Sequence, residues 1–240
     1  MDDLPPKLHT IEVWGDFACF SQPAMKVERW SYPLPTPSAA RGIFDAIYFH
    51  RPQFRWEVIR IEMLKPPRYL ALRRNEVKET VNTNAVFNWM AGAAEPKPIL
   101  ADADKSMTGS DERGRTQRQT MALVDVRYRL SARIRPWPDH QARQREFDDQ
   151  FERRLKSGKC FQQPYLGCRE FVAFFGPADP AVQPISHDQD LGFIPYDIFD
   201  LSRLNDSHAR PSISVFRAEV RGGVLDVPPY DDPKVLKPGR

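Results

Sequence analysis

Residues 122–135, ALVDVRYRLSARIR, are the most regular stretch of the sequence, and they decide the fold. One series of alternating residues is hydrophobic throughout: Ala122, Val124, Val126, Tyr128, Leu130, Ala132 and Ile134. The intervening series is mostly polar and includes Arg127, Arg129, Arg133 and Arg135. A period of two over this length predicts a long, half-buried β-strand whose outer face carries a ladder of arginine side chains.

Three shorter strands are predicted around this long strand. Residues 9–17 and 54–64 alternate less regularly and come before it, whereas residues 161–175 come after it. Within the last of these ranges, Pro164 and Gly167 predict a tight bend beside the first strand. We therefore expect a sheet of at least four strands, with the arginine-rich strand as its longest member.

Two helices are predicted between these strands. Thr36 is a suitable N-cap and Pro37 suits the first helical turn, where its missing N–H costs nothing. This first helix is expected to end before Pro52. The second helix is expected to run from a capping Asp139 to Gly158, which can adopt the left-handed conformation that closes helices. Spacings of three and four residues give each helix one hydrophobic stripe.

The order strand, helix, strand, strand, helix, strand predicts an α+β fold of the ferredoxin-like type, the arrangement of RNA-recognition domains. We assign residues 1–178 to this domain. Residues 66–119 are too long for a connecting loop, so residues 68–78 and 80–89 are expected to form a basic hairpin and residues 93–113 its mobile polar tip. Residues 179–240 are expected to form a small antiparallel sheet, with strands at 193–199, 212–220 and 223–227, and a C-terminal tail.

The composition is that of a folded domain with many loops. The 240 residues are 41% hydrophobic and 28% charged, with a formal net charge of +3. Arginine greatly outnumbers lysine, and arginine is the better partner for phosphate because its planar group donates two parallel hydrogen bonds. The sequence has no apolar run of about 20 residues and no N-terminal signal pattern, so we expect a cytoplasmic protein. We expect no metal or other cofactor, since HExxH, paired CxxC and P-loop motifs are all missing.

Three segments resemble one protein family. They are EVWGDFACFSQPAMKVERWSYPLPTPSAARGIFDAIY at residues 12–48, LRRNEVK at residues 72–78 and FQQPYLGCREF at residues 161–171. Together they resemble the fifth CRISPR-associated (Cas) protein family, in the variant of the type I-C interference complex. The resemblance extends over most of residues 8–220.

The resemblance implies a metal-independent endoribonuclease that cuts precursor CRISPR RNA within the repeat. The subunit would then stay on the 5′ handle of the product. Its implied partners are the guide RNA, the backbone-forming Cas subunit and a large Cas subunit, with target DNA contacted indirectly. The alternative within the same family is a non-catalytic subunit that only holds the 5′ handle.

The resemblance also suggests where catalysis would occur. Family members that process RNA use a tyrosine at the end of the first helix, which matches Tyr48. The basic residue and the histidine that they place near the long strand would fall on Arg118 and Gln119. Glutamine cannot transfer a proton near neutral pH, so the second match departs from the family. His50, two residues after Tyr48, is the remaining candidate, and a basic Tyr48 would need cations nearby because tyrosine ordinarily titrates near ~10.

RNA binding has wider support in the sequence, because single-stranded RNA is held by cations on its phosphates and by aromatic rings stacked on its bases. The long loop after the first strand combines both types of side chain. It contributes Lys26, Arg29, Trp30 and Tyr32, and the following helix contributes Arg41. Further candidates on the predicted hairpin and the long strand are Arg73, Arg74, Lys78, Arg115, Arg127 and Arg129. For Arg127 and Arg129, contact with RNA and contact with water alone are equally compatible with the pattern.

Overall fold

The fold was obtained as a computed structural model, which describes residues 6–25, 27–50, 52–100, 102–110, 113–203 and 211–238. Over these residues the chain forms a mixed α+β fold with one large sheet and one small sheet. The strands are β1 (Leu8–Ala18), β2 (Phe20–Ser21), β3 (Arg29–Tyr32), β4 (Phe54–Met63), β5 (Tyr69–Val77), β6 (Arg115–Pro136), β7 (Phe174–Pro177), β8 (Gln189–Asp197), β9 (Ser214–Val220) and β10 (Val224–Asp226). The helices are α1 (Pro37–Ile47), α2 (Thr83–Met90), α3 (Lys105–Thr108) and α4 (Gln144–Ser157).

Strand β6 is the centre of the large sheet, whose main order is β10-β4-β6-β1-β7. The alternation of residues 122–135 correctly predicted this strand, but β6 begins earlier, at Arg115. Its first part, up to Leu123, pairs with β5, and its last part, from Tyr128, pairs with β4. Asp125 lies between the two parts with a φ of +52°, so the backbone changes direction where β6 exchanges one neighbour for the other. Strand β6 therefore pairs along one edge with two strands in succession, first β5 and then β4.

Helices α1 and α4 cover one face of this sheet. The side chain of Thr36 accepts a hydrogen bond from the Ala39 N–H (3.3 Å), so the predicted cap is confirmed. The buried stripe of α1 meets α4 through Phe44 and Phe151, whose ring centroids are 5.8 Å apart, and Trp56 of β4 packs against both rings. Helix α4 closes at Gly158 (φ +65°), also as predicted. None of the described helices is long and apolar enough to cross a membrane.

Helix α1 ends before Pro52, as predicted: it stops at Ile47, because Tyr48 is extended (φ −142°, ψ 108°). Two other predictions are wrong. Helix α4 begins at Gln144, after a 3₁₀ turn at Pro138–Arg143, so Asp139 does not cap it. Residues 161–173 are not a continuous strand, and only β7 is added to the sheet. They form turns held by backbone bonds such as Ala173 N–H to the Pro164 carbonyl (2.9 Å). A side chain at Gly167 (φ +84°) would collide with the Cys19 carbonyl, so the predicted tight bend beside the first strand is confirmed.

The predicted basic hairpin exists, but its second strand was assigned wrongly. Strand β5 pairs with the first part of β6, whereas residues 83–90 form α2, capped by the Asn82 side chain. Asparagine is a strong N-cap because its carbonyl accepts from the first free helical N–H groups, and this local preference outweighed the strand-like composition. The expected polar tip contains the short helix α3 and the buried Ala103.

The C-terminal strands are divided between the two sheets, which corrects the prediction of a separate three-stranded sheet. Strands β8 and β9 form the small sheet. Strand β10 instead pairs with β4, and the Val227 N–H donates to the Ile59 carbonyl (2.9 Å). The last strand therefore belongs to the large sheet and connects the two.

Glu12 is the buried acidic centre of the outer face of the large sheet. It is 1% exposed and accepts hydrogen bonds from Arg127 (Nε, 2.8 Å) and Arg129 (Nη2, 3.2 Å), and from the Asp179 N–H (3.0 Å). Arg129 also donates to Glu62 (3.1 Å). The arginine ladder is thus held by carboxylates within the sheet.

We predict that Glu12→Ala lowers the free energy of unfolding by about 3 kcal/mol, because it leaves Arg129 buried with fewer charge partners. The measurement is urea denaturation followed by tryptophan fluorescence. The matched control is Asp226→Ala, which breaks the exposed Arg60–Asp226 pair (2.7 Å) and should cost about 1 kcal/mol or less. Equal losses for the two variants would contradict the prediction.

Candidate active site and nucleic-acid interface

Tyr48 is held firmly where α1 ends. Its N–H donates to the Phe44 carbonyl (2.9 Å) and its carbonyl accepts from the Trp56 indole (3.0 Å). Its ring packs 5.2 Å from the ring of Phe54, and the residue is only 6% exposed. The side chain therefore has one fixed position and can present little more than its edge to a bound molecule.

Arginines from α4 and the turn before it surround this tyrosine. The Arg154 guanidinium lies 5.4 Å from the centre of the Tyr48 ring and donates to the Ile47 carbonyl (3.1 Å). Arg143 is held by Glu146 (2.7 and 2.8 Å) and by the side chain of Gln53 (3.1 Å). This corner of the molecule thus brings a phenol close to fixed positive charges.

Burial, more than any charge, sets the protonation of the phenol. Burial raises the pKa of Tyr48 from its ordinary value of 10.0, the charge of Glu146 raises it further, and Arg154 and Arg143 oppose both. Tyr48 therefore keeps its proton at neutral pH and can donate it, whereas it is a poor proton acceptor. The exposed ring of His50 lies 6.2 Å from the Tyr48 ring, and histidine is the side chain best suited to accept a proton near neutral pH.

Arg118 and Gln119 are not brought to Tyr48. Arg118 pairs across the hairpin with Arg74, and Gln119 pairs with Arg73. Tyr48 instead packs on Phe54, whose strand partner is Pro136 at the other end of β6. The intervening part of β6, from residue 118 to 136, has a length along the strand of about 60 Å at about 3.3 Å per residue.

The cations beside Tyr48 were missed in the sequence, although a signal was present. In an antiparallel sheet the end of the long strand lies beside the start of β4, and α1 ends just before β4. Residues that directly follow the long strand, including Arg143, are therefore the ones expected near Tyr48. Arg118 and Gln119, in contrast, pair with β5 at the opposite end of the long strand, so they cannot lie beside Tyr48.

The segment between β1 and α1 that carries Trp30 and Tyr32, here called the aromatic loop although it includes β3, is only partly available to a ligand. Lys26 lies outside the described residues. Trp30 is exposed and lies 6.3 Å from the ring of Tyr69, whereas Tyr32 is buried. Arg29 is paired with Glu76 (3.2 Å) and Glu170 (3.7 Å).

A groove of about 880 Å³ runs between this loop and the small sheet. Its walls include the exposed rings of Trp30, Tyr69 and Phe193. Arg41 is not available to bind a phosphate, because its guanidinium is buried in ion pairs with Asp197 and Asp45 (both 2.7 Å). It joins α1 to β8.

The β5–β6 hairpin has one paired face and one open face. On the paired face, Arg74 contacts Glu170, and Arg118 contacts Glu76 (3.1 Å). On the open face, Arg73 and Arg115 are exposed and have no ion pair with a described residue. Lys78, also exposed, lies where the hairpin strands end, and its N–H donates to the Gly114 carbonyl (2.9 Å). Arg127 and Arg129 of the ladder are engaged by Glu12, as described above.

The chain is similar to known proteins over most of its length. A model of the CRISPR-associated protein family Cas5, in its Cas5d form, matches residues 10–228. A protein of Thermus thermophilus named CRISPR pre-crRNA endoribonuclease Cas5d is 37% identical over 234 residues, covering 91% of this chain and 90% of the relative. A protein of the same name from Mannheimia succiniciproducens is 38% identical over 231 residues, covering 92% and 94%.

A solved structure supports the fold. A crystal structure of a CRISPR-associated protein superposes with a TM-score of 0.62 at 17% identity, covering 96% of this chain and 97% of that one. At this identity the likeness concerns the fold alone. The family model and the two relatives, in contrast, extend over nearly the whole sequence. The chain therefore belongs to the Cas5d family of CRISPR-associated proteins, the type I-C variant of Cas5.

Proposed function

We propose that this protein is a metal-independent endoribonuclease that cuts precursor CRISPR RNA within the repeat. It then stays on the 5′ handle as a subunit of a type I-C surveillance complex, beside the backbone-forming and large Cas subunits and the guide RNA. The names of the two curated relatives support the reaction. The strand order β7-β1-β6-β4, with α1 and α4 on one face, supports a ferredoxin-like description of residues 1–178, followed by a smaller unit at 179–240.

One observation carries the enzymatic part of this proposal. A tyrosine that keeps its proton lies at the end of α1, with the Arg154 guanidinium 5.4 Å from its ring and His50 beside it. Cleavage by the neighbouring 2′-hydroxyl needs a proton acceptor, a proton donor and positive charge for the pentacoordinate phosphate. This corner supplies all three types of group.

The raised pKa of Tyr48 makes it the proton donor, which leaves the imidazole of His50 as the proton acceptor. His50 takes the proton of the 2′-hydroxyl, whose oxygen forms a bond to phosphorus. The bond from phosphorus to the 5′-oxygen breaks, and Tyr48 gives its proton to that leaving oxygen. Arg154 and Arg143 stabilise the negative charge that builds up on the phosphate in between. The products are a 2′,3′-cyclic phosphate and a 5′-hydroxyl, so atoms and protons balance.

We assign Arg118 and Gln119 to RNA binding rather than to catalysis. They belong to the β5–β6 hairpin, whose open face carries Arg73 and Arg115. The absence of a histidine at position 119 then has no bearing on catalysis. The hairpin and the aromatic loop with Trp30 together are the proposed grip on the 5′ handle.

The second candidate function is a non-catalytic subunit that only binds the handle. The small exposed fraction of Tyr48 favours it, because a buried phenol also serves as an ordinary core residue. Both functions use the same binding residues, so only a cleavage assay separates them.

We predict that wild-type protein cuts the repeat RNA in excess chelator and that Tyr48→Phe lowers the single-turnover rate by at least 100-fold, since proton transfer typically contributes that much. The ring and its packing on Phe54 are retained in this variant. The measurement is product formation with protein in excess over RNA.

Tyr196→Phe is the matched control, because it removes the hydroxyl of a buried tyrosine in β8, away from Arg154 and outside the proposed RNA contacts. It should cut at the wild-type rate. Cleavage by Tyr48→Phe at the wild-type rate would contradict the role of Tyr48. Tight binding without cleavage by any of the proteins would leave only the binding function.

The pH dependence tests whether Tyr48 donates or accepts the proton. Because burial raises the pKa of Tyr48, its hydroxyl stays protonated between pH 8 and pH 9.5, so a donor predicts a constant single-turnover rate over that interval. A tyrosine base with a raised pKa would instead give a rate that climbs about tenfold per pH unit. The Tyr48→Phe rate at each pH gives the background.

We predict that Arg73→Ala and Arg115→Ala each weaken binding of the repeat RNA. Each should also make the negative slope of log affinity against log salt less steep by about 0.7, the value per phosphate contact for a single strand. Arg221→Ala is the control, because it removes the same charge from an exposed arginine paired with Glu219 outside the hairpin. Slopes that are the same for all three variants would remove the hairpin from the interface.

A further inference from the structure

Two phenylalanines form an exposed stack beside the proposed cleavage site. Phe49 directly follows Tyr48, and its ring lies 5.7 Å from the ring of Phe161 at an interplanar angle of 26°. Phe161 is 62% exposed and Phe49 is 36% exposed. Neither ring belongs to the hydrophobic core, so packing within this chain does not explain why two phenylalanines lie here.

The stack is fixed in position by the end of α1. The last carbonyls of a helix have no partner within the helix. Here the Phe161 N–H donates to the carbonyls of Ala46 (2.8 Å) and Ile47 (3.2 Å), and the Gln162 N–H also donates to Ala46 (3.0 Å). The segment that carries Phe161 is thus fastened to the turn that carries Tyr48. A molecule resting on the rings would be held at a constant distance from the phenol.

The chain that leads into these rings is positively charged. Lys159 is exposed on the turn between α4 and Phe161, and Arg153 and Lys156 are exposed on the last turns of α4. Among the described residues, neither lysine has a carboxylate within ion-pair distance. Many other cations of the chain are already paired, as Glu12 holds Arg127 and Arg129.

A second exposed pair of stacked rings differs from the first in the charged residues around it. Trp14 and Phe174 lie 6.3 Å apart at 25° on the sheet edge formed by β1 and β7, and Phe174 is 53% exposed. The nearest ladder arginine, Arg127 opposite Trp14, is engaged by Glu12. Exposed rings with free cations are the combination that binds single-stranded nucleic acid, whereas rings alone are not.

We infer that the Phe49–Phe161 stack is a platform for one unpaired base of the repeat RNA, next to the phosphate that is cut. This rests on the proposed function of the Tyr48 site. The base stacks on the open face of Phe161, and Lys159 receives an adjoining phosphate. The platform fixes which phosphate reaches Tyr48, so Phe161 is a positioning residue and not a catalytic one.

The test uses the full-length protein and repeat RNA made non-cleavable by a 2′-deoxy nucleotide at the mapped cut. 2-Aminopurine replaces one base at a time on each side of that position. Stacking on Phe161 should quench its fluorescence at one position only. Phe161→Ala should abolish this quenching and weaken binding about tenfold, the range expected for one lost base–aromatic stack. Phe161→Trp should restore the quenching and the binding. On cleavable RNA, Phe161→Ala should cut at a shifted or second position.

Phe174→Ala is the matched control, since it removes an exposed ring from the other stack, and it should behave as the wild type. Wild-type binding, fluorescence and cut position for Phe161→Ala would overturn the platform while leaving the enzyme intact. Normal RNA binding by Phe161→Ala with failure to assemble with the other complex subunits would also overturn it, in favour of a protein contact. If the wild-type protein does not cut, unmodified repeat RNA is scanned with 2-aminopurine at every position instead. Quenching that depends on Phe161 would then support base stacking on the platform and remove the enzymatic proposal.

Discussion

The hydrogen-bond ladder of β6 is the constraint on which the rest of the structure depends. Buried backbone N–H and C=O groups must be paired, and a strand from Arg115 to Pro136 has many of them. Strands β1, β4 and β5 supply the partners, with the left-handed Asp125 where β4 takes over from β5. Everything that projects from the sheet is positioned by this ladder, including the hairpin at one end and the corner around Tyr48 at the other.

Charge is arranged by pairing more than by excess. The net charge of +3 comes from many acidic and basic residues that largely neutralise one another. Asp197 holds one arginine, Glu12 holds two and Glu76 holds three. Exposed cations without such partners among the described residues include Arg73 and Arg115 on the open face of the hairpin and Lys156 and Lys159 at and after the end of α4. A polyanion is therefore expected to meet this protein at two separated patches and not along the arginine ladder.

Local signals in the sequence were sufficient for some elements and not for others. The alternation of residues 122–135 and the cap at Thr36 predicted β6 and α1 because each depends on neighbouring residues only. The pairing of β5 with residues 115–123 depends on contacts about 45 residues apart, which no periodicity encodes. For the site, the position of Tyr48 came from family resemblance. Its arginine neighbours could be identified only from the pairing of β4 with the end of β6, which no local pattern encodes.

The ion pair of Arg41 with Asp197 has a consequence for how the protein can be divided. Helix α1 carries Tyr48 at one end and is tied through Arg41 to the small sheet, while β10 is paired with β4 of the large sheet. A shortened chain ending after β7 would leave a buried guanidinium without Asp197 and an unpaired edge on β4. The C-terminal segment is therefore no exchangeable module, and recombination between relatives at the boundary of the two sheets would have to transfer both partners of each contact together.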